Sequence, residues 1–355
     1  MRLGETAPHD TLGMTTALMP FAAEPPVINE AATAFMLIAS SMVLLMTPGL
    51  ALFYGGMTRS KSVLNMMMMS FGALAAVGII YVLWGYSMSF GNLQDGTSDI
   101  AGIFANPFHL FGLSALTGDD GPRLIDPFGV GVFIPEYIYV GFQLTFAVIT
   151  AALISGAIAD RVKFSTWMTF VVIWVTIVYF PLAHMVWGGG LLSGSENGLS
   201  AKLFGSTDGV ANVLPIDFAG GLSALAVGLK YKFGYDDSLD VVGVHLVAGL
   251  WGTIGAGLLA TSTGLFYGGG GEQTVLQILI ALISLALSFV LTYAIAMGLK
   301  ATLGWRISED EESEGIDQAE HAESAYEIGG FAASSGRTTT TRPAVPSEQA
   351  EGANA

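Results

Sequence analysis

His245 is the side chain whose position asks most for a chemical explanation. It stands in Val241-Val242-Gly243-Val244-His245-Leu246-Val247-Ala248-Gly249, a run with no other ionisable group. An ionisable residue within a membrane-crossing stretch is expensive, and it marks a functional position by default. An imidazole there could line a passage and accept or shuttle protons. The alternative is a packed histidine bonded to a carbonyl on a neighbouring helix. Gly249, Gly252 and Gly255 recur every third residue beyond it, a stripe that lets another helix come close and is better read as packing than chemistry.

Trp187 closes the run His184-Met185-Val186-Trp187-Gly188-Gly189-Gly190. It is either an interfacial belt residue or one wall of an aromatic cage for a small cation. Phe146, in Gly141-Phe142-Gln143-Leu144-Thr145-Phe146, is core or lipid-facing bulk on base rates. Asp217, in Pro215-Ile216-Asp217-Phe218-Ala219-Gly220, suits an N-cap and could add negative potential at an outer mouth. Asp236, Asp237 and Asp240 read as charge complements to a helix start rather than as a Mg²⁺ site.

The elements that carry these residues are membrane spans. Only 12% of the 355 residues are charged, about half the usual share for a soluble domain. A hydrocarbon core about 30 Å thick takes roughly 20 apolar residues as helix. Seven segments qualify: 30–57, 64–90, 129–158, 165–188, 214–230, 241–262 and 274–300. The fifth is the shortest. The stretches 91–128 and 189–213 read as polar loops, residues 1–27 as an extracytoplasmic arm without a signal peptide, and 28–306 as the transmembrane domain. Residues 307–355 read as an acidic, largely disordered cytoplasmic tail.

Lysine and arginine set the expected orientation. Ten of the thirteen follow odd-numbered spans, and only Arg2, Arg123 and Lys202 lie on the other side. The N-terminus is therefore expected outside and the C-terminus in the cytoplasm. The net charge of −16 is concentrated in the tail, and no basic patch supports nucleic-acid binding. The absence of cysteine excludes thiol catalysis, thiolate metal sites and disulfides. Neither His184 nor His245 has a metal-ligand or triad pattern around it. No enzyme, metal or cofactor is expected.

Long motifs carry a resemblance to the ammonium transporter/Rh family. They are Met46-Thr-Pro-Gly-Leu-Ala-Leu-Phe-Tyr-Gly-Gly56, Phe142-Gln143 with Asp160-Arg-Val-Lys-Phe164, and Tyr179-Phe-Pro-Leu-Ala-His-Met-Val-Trp-Gly-Gly-Gly190. Asp217-Phe-Ala-Gly-Gly221, Lys230 through His245, and His321-Ala-Glu-Ser-Ala-Tyr-Glu327 complete the set. The resemblance implies an outer gate at Phe146, a recruitment tryptophan at Trp187, a supporting acid at Asp217, and pore positions at Phe142 and His245. It also implies a homotrimer in the lipid bilayer and a PII-class nitrogen-signalling protein at the cytoplasmic face.

The family's pattern expects a first pore histidine shortly after Asp217-Phe-Ala-Gly-Gly221. Here Leu222-Ser-Ala-Leu-Ala-Val-Gly-Leu-Lys230 follows, which resembles the end of the family's ninth span. An eleven-span, all-α bundle is thus expected to be reduced to about seven spans, with a fusion junction near 220–225. The inner gate phenylalanine and the recruitment serine go with the lost segment. Transport is expected to be impaired. The alternative is a non-conducting subunit that assembles with full-length transporters.

Overall fold

The computed structural model describes residues 26–91, 93, 99–118, 121–127, 129–196, 198–205 and 221–326. Helix α1 (Glu30–Met57) starts at Asn29, whose side chain accepts the Ala32 N–H at 2.8 Å. It continues unbroken through Pro48. Helix α2 (Val63–Ile80) passes through a π-turn at Tyr81–Gly85 into α3 (Tyr86–Phe90). Helix α4 (Glu136–Ile154) extends by a 3₁₀ turn to Ile158. Helix α5 (Phe164–Trp174) runs through a second π-turn, Val175–Tyr179, into α6 (Phe180–Trp187). Short helices α7 (Leu199–Phe204), α8 (Gly221–Ala226) and α9 (Leu229–Phe233) follow. A third π-turn, Val242–Leu246, opens α10 (Val247–Leu259), and α11 (Glu272–Thr302) is the longest helix.

Six helical stretches among the described residues are long and apolar enough to cross a membrane: 30–57, 63–90, 136–158, 164–187, 242–259 and 272–302. They match six of the seven expected spans. The expected span 214–230 is not among them. Residues 206–220 lie outside the described residues, and the remainder forms α8 and the start of α9, six and five residues long. The third span starts at Glu136 rather than near residue 129. Pro135 precedes it in extended conformation, and Gly129 and Gly131 adopt positive φ, as glycine does at little steric cost.

The loop between α3 and α4 is not featureless. Three antiparallel two-stranded ribbons line it: β1 (Asp99–Ile100) with β2 (Phe104–Ala105), β3 (Thr117–Gly118) with β4 (Gly121–Pro122), and β5 (Leu124–Ile125) with β6 (Ile134–Pro135). A buried ion pair fixes this loop to the bundle. The Arg123 guanidinium donates to both carboxylate oxygens of Glu136, one of them at 2.7 Å, and Glu136 is fully buried. The Tyr86 hydroxyl donates to the same carboxylate at 2.6 Å.

Two helices stand in the tail where composition suggested little order: α12 (Glu309–Glu314) and α13 (Ile316–His321). Both dock on the loops between spans. Asp317 accepts the Leu64 and Asn65 N–H groups at 3.0 and 2.7 Å, which caps α2 where Ser62 supplies no cap of its own. Glu320 accepts the Phe164 N–H at 3.1 Å and so caps α5. Acids at helix starts complement the exposed amides and the helix dipole.

Candidate functional site

Phe142 and Phe146 lie one turn apart on α4 and form an edge-to-face pair with ring centroids 4.9 Å apart. Both are half-buried, with Phe142 packed against the main core. Thr145 donates its hydroxyl to the Phe142 carbonyl at 2.6 Å, and Thr150 donates to the Phe146 carbonyl at 2.7 Å. These bonds satisfy the hydroxyls within the helix and leave the aromatic pair as the apolar feature of this level.

Trp187 is the last residue of α6 and is 45% exposed. Tyr179 on the same span lies within electrostatic reach of Thr150 on α4, which sets the two antiparallel helices in register. At about 1.5 Å per residue, Trp187 stands roughly 12 Å beyond that level and Phe142 about as far. Phe146 lies about one turn deeper. Tryptophan and Phe142 thus share the end of the bundle that bears the β-ribbons, with Phe146 beneath them.

His245 belongs to the opposite end. Ser238 and Leu239 donate their N–H groups to Ala157 and Gly156 beyond α4, and His245 follows a few residues later inside the π-turn Val242–Leu246. Such turns recur at functional sites. Helix α10 packs on α11 and α8, and His245 is half-buried. Asp217 lies outside the described residues. The structure therefore brings Phe142 and Phe146 together, sets Trp187 toward the same end of the bundle, and leaves His245 toward the other end. Asp237 accepts the Val241 and Val242 N–H groups at 2.9 and 2.7 Å, the capping role expected for this acidic cluster. No group of metal-ligating side chains occurs among the described residues.

The sequence reading missed two buried polar centres on the ribbon-bearing side. One is Glu136 with Arg123 and Tyr86. The other is His184, fully buried, whose Nε2 lies 2.8 Å from Asp99 Oδ1 and whose Nδ1 lies 3.2 Å from the Ser89 carbonyl. The signal was present in one sense: both His184 and Glu136 are ionisable groups on spans.

The six apolar helices among the described residues that are long enough to cross a bilayer define the class: a polytopic membrane protein. The family model described as Ammonium Transporter Family matches residues 34–223 and 217–326. An ammonium transporter of Mycobacterium tuberculosis is 36% identical over 453 aligned residues, covering 88% of this chain and 93% of that protein. One from Aquifex aeolicus is 31% identical over 415, covering 83% and 93%. The crystal structure of Candida albicans Mep2 superposes with a TM-score of 0.62 at 20% identity, over 80% of this chain and 88% of that one. The chain belongs to the ammonium transporter family. Both alignments to the bacterial relatives are longer than the 355 residues of this chain, so relatives' residues stand opposite an internal gap.

Proposed function

We propose that this chain binds ammonium at the Trp187 end and carries it across the membrane poorly, because part of the family's pore is missing. The observation that supports this most is the pairing of two facts. The Phe142–Phe146 pair and Trp187 are retained toward one end of the bundle, while the two family-matched segments meet at residues 217–223. We place the fusion junction there, near 220–225.

An ammonium ion does not cross an apolar passage intact, since moving a bare charge out of water costs several kcal/mol or more. A working passage strips the proton at an aromatic gate and passes it along paired imidazoles. The chain has five histidines: His9, His109, His184, His245 and His321. His184 is held by Asp99 and Ser89, and His321 donates to Asn65 in the tail contact. The first pore histidine that the family's pattern expects after Asp217-Phe-Ala-Gly-Gly221 is missing, since Leu222 through Lys230 contains no histidine, and on this reading the paired path goes with it. In this reading the ribbon-bearing side faces outward, Asp217 supports recruitment, the tail is cytoplasmic, and the chain resides in the plasma membrane as a homotrimer. The docked tail is the surface for a PII-class nitrogen-signalling protein. Labelled methylammonium uptake in a host lacking its own ammonium transporters tests the proposal. Uptake well below that of a full-length relative is expected, and equal uptake contradicts impairment.

A second reading makes the chain a non-conducting subunit of assemblies with full-length transporters. The broad apolar face of α11, where Leu282, Phe289, Val290 and Tyr293 are exposed, favours it. Co-purification of a tagged full-length relative with this chain supports that reading; clean separation in mild detergent rejects it.

A further inference from the structure

We propose that His184 is a positioning residue: with Asp99 it latches the β1–β2 ribbon onto α6 and thereby holds Trp187 for an incoming cation. The cation part rests on the function proposed above, whereas the latch rests on geometry alone.

Both ring nitrogens of His184 face oxygens that accept, the Ser89 carbonyl at 3.2 Å and the Asp99 carboxylate at 2.8 Å. A neutral ring donates from only one nitrogen. The contact with Asp99 is the shorter of the two and ties the ring to the ribbon. A hydrogen bond to a carboxylate is of the strong, charge-assisted kind.

The latch is cyclic. Asp99 accepts the Gly102 N–H with both carboxylate oxygens, at 3.2 and 3.0 Å. The Gly102 carbonyl accepts the Leu191 N–H at 2.7 Å, and the His184 carbonyl accepts the N–H groups of Gly188 and Gly190 at 2.9 and 3.1 Å. Side chain and backbone of His184 thus close a ring around the turn that follows Trp187. The glycine run exists for this ring. A Cβ at Gly188 would collide with the Ser89 carbonyl and the His184 ring, and one at Gly190 with the Gly102 carbonyl. Trp187 lies three residues beyond His184, on the same side of the helix, between the latched ring and the latched turn.

The full chain labelled with 5-fluorotryptophan gives six indole signals by ¹⁹F NMR, one for each tryptophan, and Trp187→Phe identifies the one from Trp187. In His184→Ala the Trp187 line should move and sharpen, while the lines of Trp84, Trp167, Trp174, Trp251 and Trp305 stay in place. An unmoved Trp187 line overturns the latch. If His184→Ala disturbs all six lines, Asp99→Asn decides, since it keeps the shape and removes the charge. It should move the Trp187 line alone, and an unmoved line again overturns the proposal. Methylammonium titrated against the Trp187 line should reach its midpoint at about tenfold higher concentration in Asp99→Asn, the size expected for one lost charge-assisted bond. Coincident titrations overturn the link to cation binding. A wild-type line that ignores methylammonium contradicts the cation reading of Trp187, and the line positions in the two variants still decide the latch.

Discussion

Helices α1 to α6 and helices α10 and α11 are equally suited to lipid, yet they are held in different ways. The first group buries Tyr81, Tyr86, Phe90, Trp167, Phe170 and Phe180 almost completely. Polar bonds cross it at several levels: Trp84 to Thr176 at 3.2 Å, Trp167 to the Met69 carbonyl at 2.9 Å, and Tyr86 to Glu136 at 2.6 Å. The second group contributes little to that core. It meets the first through a small cluster of Met185, Leu192, Leu276 and Ile280, through Leu291, Ile295 and Leu299 against the main core, and through Trp174, which donates to Thr292 at 2.8 Å. Lipid is as apolar as leucine, so spans associate by close packing and hydrogen bonds rather than by hydrophobic burial. Spans that lose their neighbours stay soluble in the bilayer while losing the wall they would have built.

The largest effect is expected where the first group is tied to its loop. Glu136→Ala strands Arg123 beside the bundle and should cost about 3 kcal/mol, the low end for a broken buried pair because Arg123 keeps some solvent access. Thermal unfolding in detergent measures it. Asp317→Ala uncaps α2 and should cost about 1–2 kcal/mol, read as faster hydrogen exchange at residues 64–65; unchanged exchange there refutes the docked tail. Thr292→Val removes one bond between the two groups and should cost about 1 kcal/mol or less. A larger loss would mean that the second group is held as firmly as the first.

Two smaller effects sharpen the contrast. Glu311 accepts hydrogen bonds from the backbone and hydroxyl of Ser308, which hold its carboxyl below the ordinary glutamate range. A lowered value means that the contribution is present above the ordinary range and fades as pH falls through the lowered one. Helix α12 should therefore fray only in acid, and Ser308→Ala should make it fray at higher pH, by hydrogen exchange across 309–314. His245→Ala should change methylammonium uptake less than about twofold, since the relay needs the first pore histidine that the 222–230 segment does not carry. A severe loss would show that His245 carries transport although the family's first pore histidine is missing.

Most spans were legible because a bilayer fixes their length. Helices α1 and α11, and the continuous stretches α2–α3 and α5–α6, begin and end within a few residues of their apolar runs. The expected span 214–230 lies partly outside the described residues, and length and hydropathy cannot tell one helix from two joined ends there, because Leu222–Leu229 reads as apolar either way. The π-turns left no mark in the apolar pattern. Phe146 and Trp187 were visible as motif residues, whereas the partner that holds His184 lies 85 positions away. A contact of that range is set by the fold of the ribbon loop, which the polar composition of 91–128 did not disclose.

The central claim is that recruitment is retained while conduction is impaired. Purified chain and the full-length Mycobacterium tuberculosis relative, reconstituted side by side in liposomes at matched density, should respond differently to an imposed gradient of labelled methylammonium. The account predicts uptake by this chain far below the relative and near that of empty liposomes. Uptake equal to the relative would contradict it.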